Sequence, residues 1–112
     1  MSSSALPTQV RVWIDGTRVA PEEAHVSVFD RGFLYGDSIF ETLRTYGGRA
    51  FALDEHLARL EESARRVRIA LPLERAALAE EVERAIAESG LVAQSSSSSG
   101  GSRSGECYVR IT

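Results

Sequence analysis

The stretch that decides the fold is Phe29-Asp30-Arg31-Gly32-Phe33-Leu34-Tyr35-Gly36-Asp37-Ser38-Ile39-Phe40-Glu41-Thr42-Leu43-Arg44. Its first half is punctuated by Gly32 and Gly36 and reads as a glycine-rich loop. Its second half is not punctuated. From Ser38 to Tyr46 the spacing predicts one long strand, with Phe40, Thr42, Arg44 and Tyr46 on one face and Ile39, Glu41, Leu43 and Thr45 on the other.

Working outward, Gly47-Gly48 is a hairpin turn and Arg49 to Leu53 its return strand. Asp54 is then a candidate cap for a helix running to about Arg68, with Leu57, Leu60, Ala64 and Val67 as its buried stripe. Beyond Pro72 a second helix is expected from about Glu74 to Ser89. Leu78, Val82, Ala85 and Ile86 face inward, and Gly90 stops it. Upstream, Val10 to Ile14 alternates as a strand, Asp15-Gly16 turns the chain, and Thr17 to Val19 returns. These elements imply an α+β fold: an antiparallel sheet with two helices packed on one face.

The margins are different. Residues 1–9 are small and polar and read as a flexible N-terminus. Residues 94–105 are serine- and glycine-rich, including the run Ser95 to Ser99, and read as a low-complexity loop inside a domain of residues 10–112. Strand character returns from Glu106 and is still running at Thr112, a pattern expected of a truncated chain.

At 112 residues with a hydrophobic fraction of 43%, the chain can build one small core. A net charge of -3 argues against nucleic-acid binding by bulk electrostatics. No leader-like or membrane-spanning stretch is legible, so the expected compartment is the cytoplasm. Cys107 is the single cysteine, which excludes an internal disulfide. With only His25 and His56 beside it, no metal-ligand spacing is present.

All 13 basic residues are arginine. No side-chain amine is available to form a Schiff base, so no catalytic residue of that kind can be named. His56 and Arg59 are three apart and share a helix face near its N-terminus, an arrangement able to receive phosphate. By itself Arg59 also reads as a solvated arginine beside Glu55 and Glu62. Phe40 and Arg44 by themselves read as a core aromatic and a sheet-edge charge.

Taken together, the Phe29–Arg44 run, Tyr46-Gly47-Gly48, Phe51, His56-Leu57-Ala58-Arg59-Leu60 and Ser63-Ala64 resemble the N-terminal domain of the fold-type IV, or class IV aminotransferase, enzymes. That family includes branched-chain and D-amino-acid aminotransferases and aminodeoxychorismate lyase. The resemblance implies pyridoxal 5′-phosphate as cofactor, an amino acid and a 2-oxo acid as substrates, and a homodimer for the full-length enzyme. It makes Arg59 the phosphate-binding arginine, Phe40 a wall of the substrate pocket, and Tyr35 an aromatic on its substrate side. Arg44 would reach a substrate carboxylate from the face it shares with Phe40. The family's catalytic lysine lies in a second domain, so these 112 residues alone are expected to be inactive. Three functional readings follow: part of an aminotransferase, part of a lyase releasing pyruvate and 4-aminobenzoate, or a non-catalytic interaction module.

Overall fold

The computed structural model of the protein describes residues 9–92 and 105–112. Residues 1–8 and 93–104, with most of the expected flexible N-terminus and low-complexity loop, lie outside the described residues. Strands β1 (Val12–Ile14) and β2 (Thr17–Val19) form an antiparallel hairpin. A short helix α1 (Arg31–Tyr35) precedes β3 (Glu41–Tyr46), which turns into β4 (Arg49–Ala50). Helices α2 (Leu53–Val67) and α3 (Arg75–Ser89) follow, and β5 (Tyr108–Ile111) returns.

The expected antiparallel architecture is present as two sheets. One is the β1–β2 ribbon, and the other has the order β4-β3-β5. Both tight turns have the same chemistry. Asp15 and Gly16 have φ of 53° and 79°, and Gly47 and Gly48 have 60° and 79°. Positive φ at both central residues gives the backbone twist that paired strands require, and glycine adopts it without a side-chain clash.

The period of two along β3 sorts its residues as the sequence predicts. Glu41, Leu43 and Thr45 are buried, whereas Thr42 and Tyr46 are exposed. The buried face meets α2, and α3 packs against α2 and β4. Leu43, Leu57, Leu60, Ala64, Val82 and Ile86 make the core. Burying one large aliphatic side chain of this kind contributes about 1.5–3 kcal/mol. Arg11 Nε donates to the Ser89 carbonyl (3.0 Å) and Arg18 Nη1 to the Glu88 carbonyl (3.2 Å), which ties the β1–β2 ribbon to the C-terminal end of α3. Those carbonyls have no partner within the helix, and a guanidinium satisfies them.

Several boundaries differ from the sequence expectation, each for a local reason. The Arg31–Tyr35 segment is helical rather than a loop. Asp30 Oδ2 accepts from the Gly32 amide (2.8 Å), and Gly36 closes the turn at φ 73°. A Cβ on Gly32 would sit 2.9 Å from Asp30 Oδ2, so a larger residue there would displace the capping carboxylate. The strand expected from Ser38 starts at Glu41, and its partner ends at Ala50 instead of Leu53. Ala52 at φ 55° turns the chain out of the sheet and is itself the residue before α2. Asp54 is therefore inside the first helical turn, beside Glu55, where a carboxylate favours the helix dipole without capping it. Val67, expected in the buried stripe, is the last helical residue and is mostly exposed. Arg68 at φ 61° ends α2 with a backbone turn that satisfies the Ala64 and Arg65 carbonyls. Among the described residues no helix is long and apolar enough to cross a membrane.

Candidate functional site

Two side-chain clusters flank the start of β3, and adjacent residues of one strand feed them. Glu41 points inward, toward α2. Its carboxylate accepts from Arg59 Nε at Oε2 and from Arg59 Nη2 at Oε1, both at 2.8 Å. His56 Nδ1 lies 2.7 Å from the same Oε1. An ionised carboxylate can only accept, which assigns the proton to Nδ1. His56 and Arg59 reach one carboxylate because a three-residue step on α2 keeps them on the same side.

Glu41 is only 6% exposed in its side chain, while Arg59 is 67% exposed. The Arg59 hydrogen bonds, helped by His56, outweigh the cost of burial and lower the Glu41 pKa from the ordinary 4.5 to about 2. Glu41 therefore remains ionised across the physiological range. It engages the Nε–Nη2 side of the guanidinium. The outward edge around Nη1 has no hydrogen-bond partner among the described residues. A guanidinium carries five donors in a planar fork, so a second planar or tetrahedral anion can dock on that edge.

Sequence reasoning missed Glu41, because its position on the strand identified only a face. A signal was available: an acidic residue at an inward-facing position has to be paired, and the donors must come from the element that covers it. Arg59 lies in the second turn of α2, whose first turn carries Asp54 and Glu55. The helix dipole fades within the first turn, so any anion binding at Arg59 comes from the side chain and not from the helix N-terminus.

The second cluster lies on the open face of the β4-β3-β5 sheet. Arg44 stacks over Tyr46, with its guanidinium carbon 4.2 Å from the ring centroid, and lies 5.8 Å from Tyr108. Arg110 stands 4.1 Å over Phe40. The antiparallel register explains both neighbourhoods, since Arg44 pairs with Tyr108 and Thr42 with Arg110. Phe51 meets Tyr46 edge-on at 5.1 Å. Phe40 is thus an exposed aromatic beneath an arginine, not a core residue. Arg44 is half-buried between ring faces. Cation–π contacts hold the guanidinium carbons over the rings, and with Arg44 Nε donating to the Thr45 carbonyl (3.2 Å) and Arg110 Nε to the Thr112 hydroxyl (3.0 Å) it is the Nη groups that remain for an acceptor. The structure adds Tyr108 and Arg110 to this face. Neither could be located before the β3–β5 pairing was known.

Tyr35 belongs to neither cluster in this chain. It lies on α1, is largely exposed, and has Arg31 5.7 Å from its ring centroid. No hydrogen bond or stacking contact joins it to Phe40 or Arg44 among the described residues. Likewise, no group of three or more His, Cys, Asp or Glu side chains among them is arranged to hold a metal ion.

A sequence profile of the amino-transferase class IV family matches residues 38–112. A Methanocaldococcus jannaschii protein named as a branched-chain-amino-acid aminotransferase is 45% identical over 64 residues, which is 57% of this chain and 22% of that protein. A D-alanine aminotransferase of Listeria monocytogenes is 29% identical over 103 residues, covering 92% of this chain and 32% of its own length. The crystal structure of 4-amino-4-deoxychorismate lyase from Pseudomonas aeruginosa superposes with a TM-score of 0.57 at 46% identity, over 70% of this chain and 27% of that one. The chain spans between about a fifth and a third of the length of these relatives. With a profile that covers most of its residues and the paired β3–α2 site inside that match, the chain belongs to the class IV aminotransferase family.

Proposed function

We propose that this chain is the phosphate-gripping and substrate-facing part of a pyridoxal-phosphate-dependent aminotransferase, which transfers an amino group between an amino acid and a 2-oxo acid. The observation that carries the proposal is the Glu41–Arg59 pair. A buried carboxylate fixes one side of the guanidinium and leaves the other side facing solvent.

The residues fit a phosphate in geometry. Arg59 offers an outward edge of planar donors, and Glu41 and His56 restrict its swing. Glu41 also offsets the positive charge of Arg59, so this site offers directed hydrogen bonds more than net charge. Other donors to the phosphate would come from outside these residues. When bound, pyridoxal 5′-phosphate supplies an electron sink for bond breaking at the substrate's α carbon. The chain has no lysine, so the amine that holds the cofactor covalently would also come from outside it. The 112 residues alone are then inactive.

The open sheet face is the proposed substrate side. Phe40 provides an apolar wall, and Arg44 and Arg110 offer donors to a carboxylate. Tyr35 would reach that pocket only from α1, in the complete assembly. Homodimerisation and a cytoplasmic setting belong to the same reading. The test is Arg59→Ala in the complete enzyme that contains this chain. Cofactor affinity should fall, and an unchanged dissociation constant would overturn the assignment.

A second reading is favoured by the 46% identity to the Pseudomonas aeruginosa lyase structure. In it the same cofactor grip serves elimination of pyruvate from aminodeoxychorismate. Formation of 4-aminobenzoate, set against formation of a 2-oxo acid from an amino donor, separates the two.

A further inference from the structure

The open face depends on β5, and β5 has a register problem. Cys107, Val109 and Ile111 alternate with Tyr108, Arg110 and Thr112. A one-residue slip would turn the apolar set outward and is excluded by burial. A two-residue slip keeps every side chain on its face and moves it about 6.8 Å along the strand. In one direction Arg110 would come to face Arg44, a like-charge pair that disfavours the slip. In the other direction Glu106 would face Arg44 and Tyr108 would face Thr42. Neither hydrophobic pattern nor cross-strand charge excludes that second alternative.

The chain at the start of β5 makes a separate set of contacts. The Glu106 carboxylate lies over the β3–β4 turn. Gly47 N–H donates to Oε2 at 2.6 Å, Gly48 N–H donates to Oε1 at 3.1 Å, and the Thr45 hydroxyl donates to Oε1 at 2.5 Å. The same hydroxyl oxygen accepts from Cys107 N–H at 2.9 Å, and Thr45 N–H donates to the Cys107 carbonyl at 3.0 Å. Thr45 is fully buried. Gly105, one residue earlier, passes so close to Leu91 that a Cβ would lie 2.6 Å from its carbonyl oxygen.

We propose that Glu106 is a positioning residue: its carboxylate, held by the Gly47–Gly48 turn and Thr45, selects the register of β5 and so places Tyr108 beside Arg44 and Arg110 over Phe40. The importance of this placement for substrate rests on the reading of the open face given above. The register is tested with no ligand present, so the two ideas fail separately.

The test is cross-strand NOE spectroscopy on the 112-residue chain and its Glu106→Ala and Glu106→Gln variants. Native pairing gives Arg44–Tyr108 and Thr42–Arg110 contacts. Glu106→Ala should lose intensity in both and gain a Thr42–Tyr108 set. Glu106→Gln keeps an oxygen for Thr45 and Gly48 and presents an N–H to Gly47. It should restore the native set while the Gly47 amide proton moves upfield. Native contacts alone in Glu106→Ala would overturn the proposal. If that variant does not fold, an unmoved Gly47 amide in Glu106→Gln overturns it and an upfield shift supports it.

Discussion

Replacing Glu41 by glutamine tests the central pairing most directly, and the structure sets its size. The folded protein lowers the Glu41 pKa from 4.5 to about 2. That difference corresponds to about 3 kcal/mol in favour of the ionised folded state. Arg59 is two-thirds exposed, so solvent screens part of the pairing, and about 1–2 kcal/mol is the expected loss at neutral pH. The pH dependence has a fixed sign. A lowered carboxylate pKa contributes stability that is fully present above about 4.5 and is lost as pH falls toward 2. Glutamine carries no such charge. The stability gap between parent and Glu41→Gln should therefore hold at its full value from pH 7 down to about 5 and narrow steadily below that. Urea unfolding followed by circular dichroism at a series of pH values measures the gap. A gap independent of pH would mean that glutamine disturbs packing alone and that the ion pair contributes nothing to stability. No gap at any pH would mean that the Glu41 charge adds nothing to stability and would refute the expected loss.

Three further outcomes follow from other parts of the molecule. Arg59→Ala in the complete enzyme should weaken pyridoxal 5′-phosphate binding by about 1.5–3 kcal/mol, the range for charge-assisted hydrogen bonds, read by fluorescence titration of the apoenzyme. Leu57→Ala removes the most deeply buried aliphatic side chain of α2 and should cost about 2–5 kcal/mol in urea unfolding. Arg68→Gly relieves a left-handed residue (φ 61°) at an exposed helix end. It should raise the melting temperature, because the relief of about 1–2 kcal/mol exceeds the roughly 0.4–1 kcal/mol of added unfolded-state entropy. A lower melting temperature would show that the Arg68 side chain stabilises the end of α2.

The features legible along the chain are local. The two-residue period of β3 sorted Glu41, Leu43 and Thr45 from Thr42 and Tyr46, because alternation is a property of the extended backbone. The hairpin turns at Asp15-Gly16 and Gly47-Gly48 were legible because their residues tolerate positive φ. The α2 stripe of Leu57, Leu60 and Ala64 followed from helical spacing, and the joint pattern of Phe29–Arg44 with His56–Leu60 identified the family. Two expectations failed for local reasons: Ala52 in the left-handed region cut β4 short, and the Asp30 side-chain cap turned an expected loop into α1.

Which residues meet depends on packing. Glu41 and Arg59 are 18 residues apart, and their pairing needs β3 and α2 to be packed. Thr45 and Glu106 are 61 apart, and their contact needs β5 to return beside β3. A side chain's face is set by its own backbone, whereas its partner is set by how separate elements pack. Hydrogen bonds and stacking contacts act over a few ångströms, and no spacing within one segment reports which distant residue lies that close.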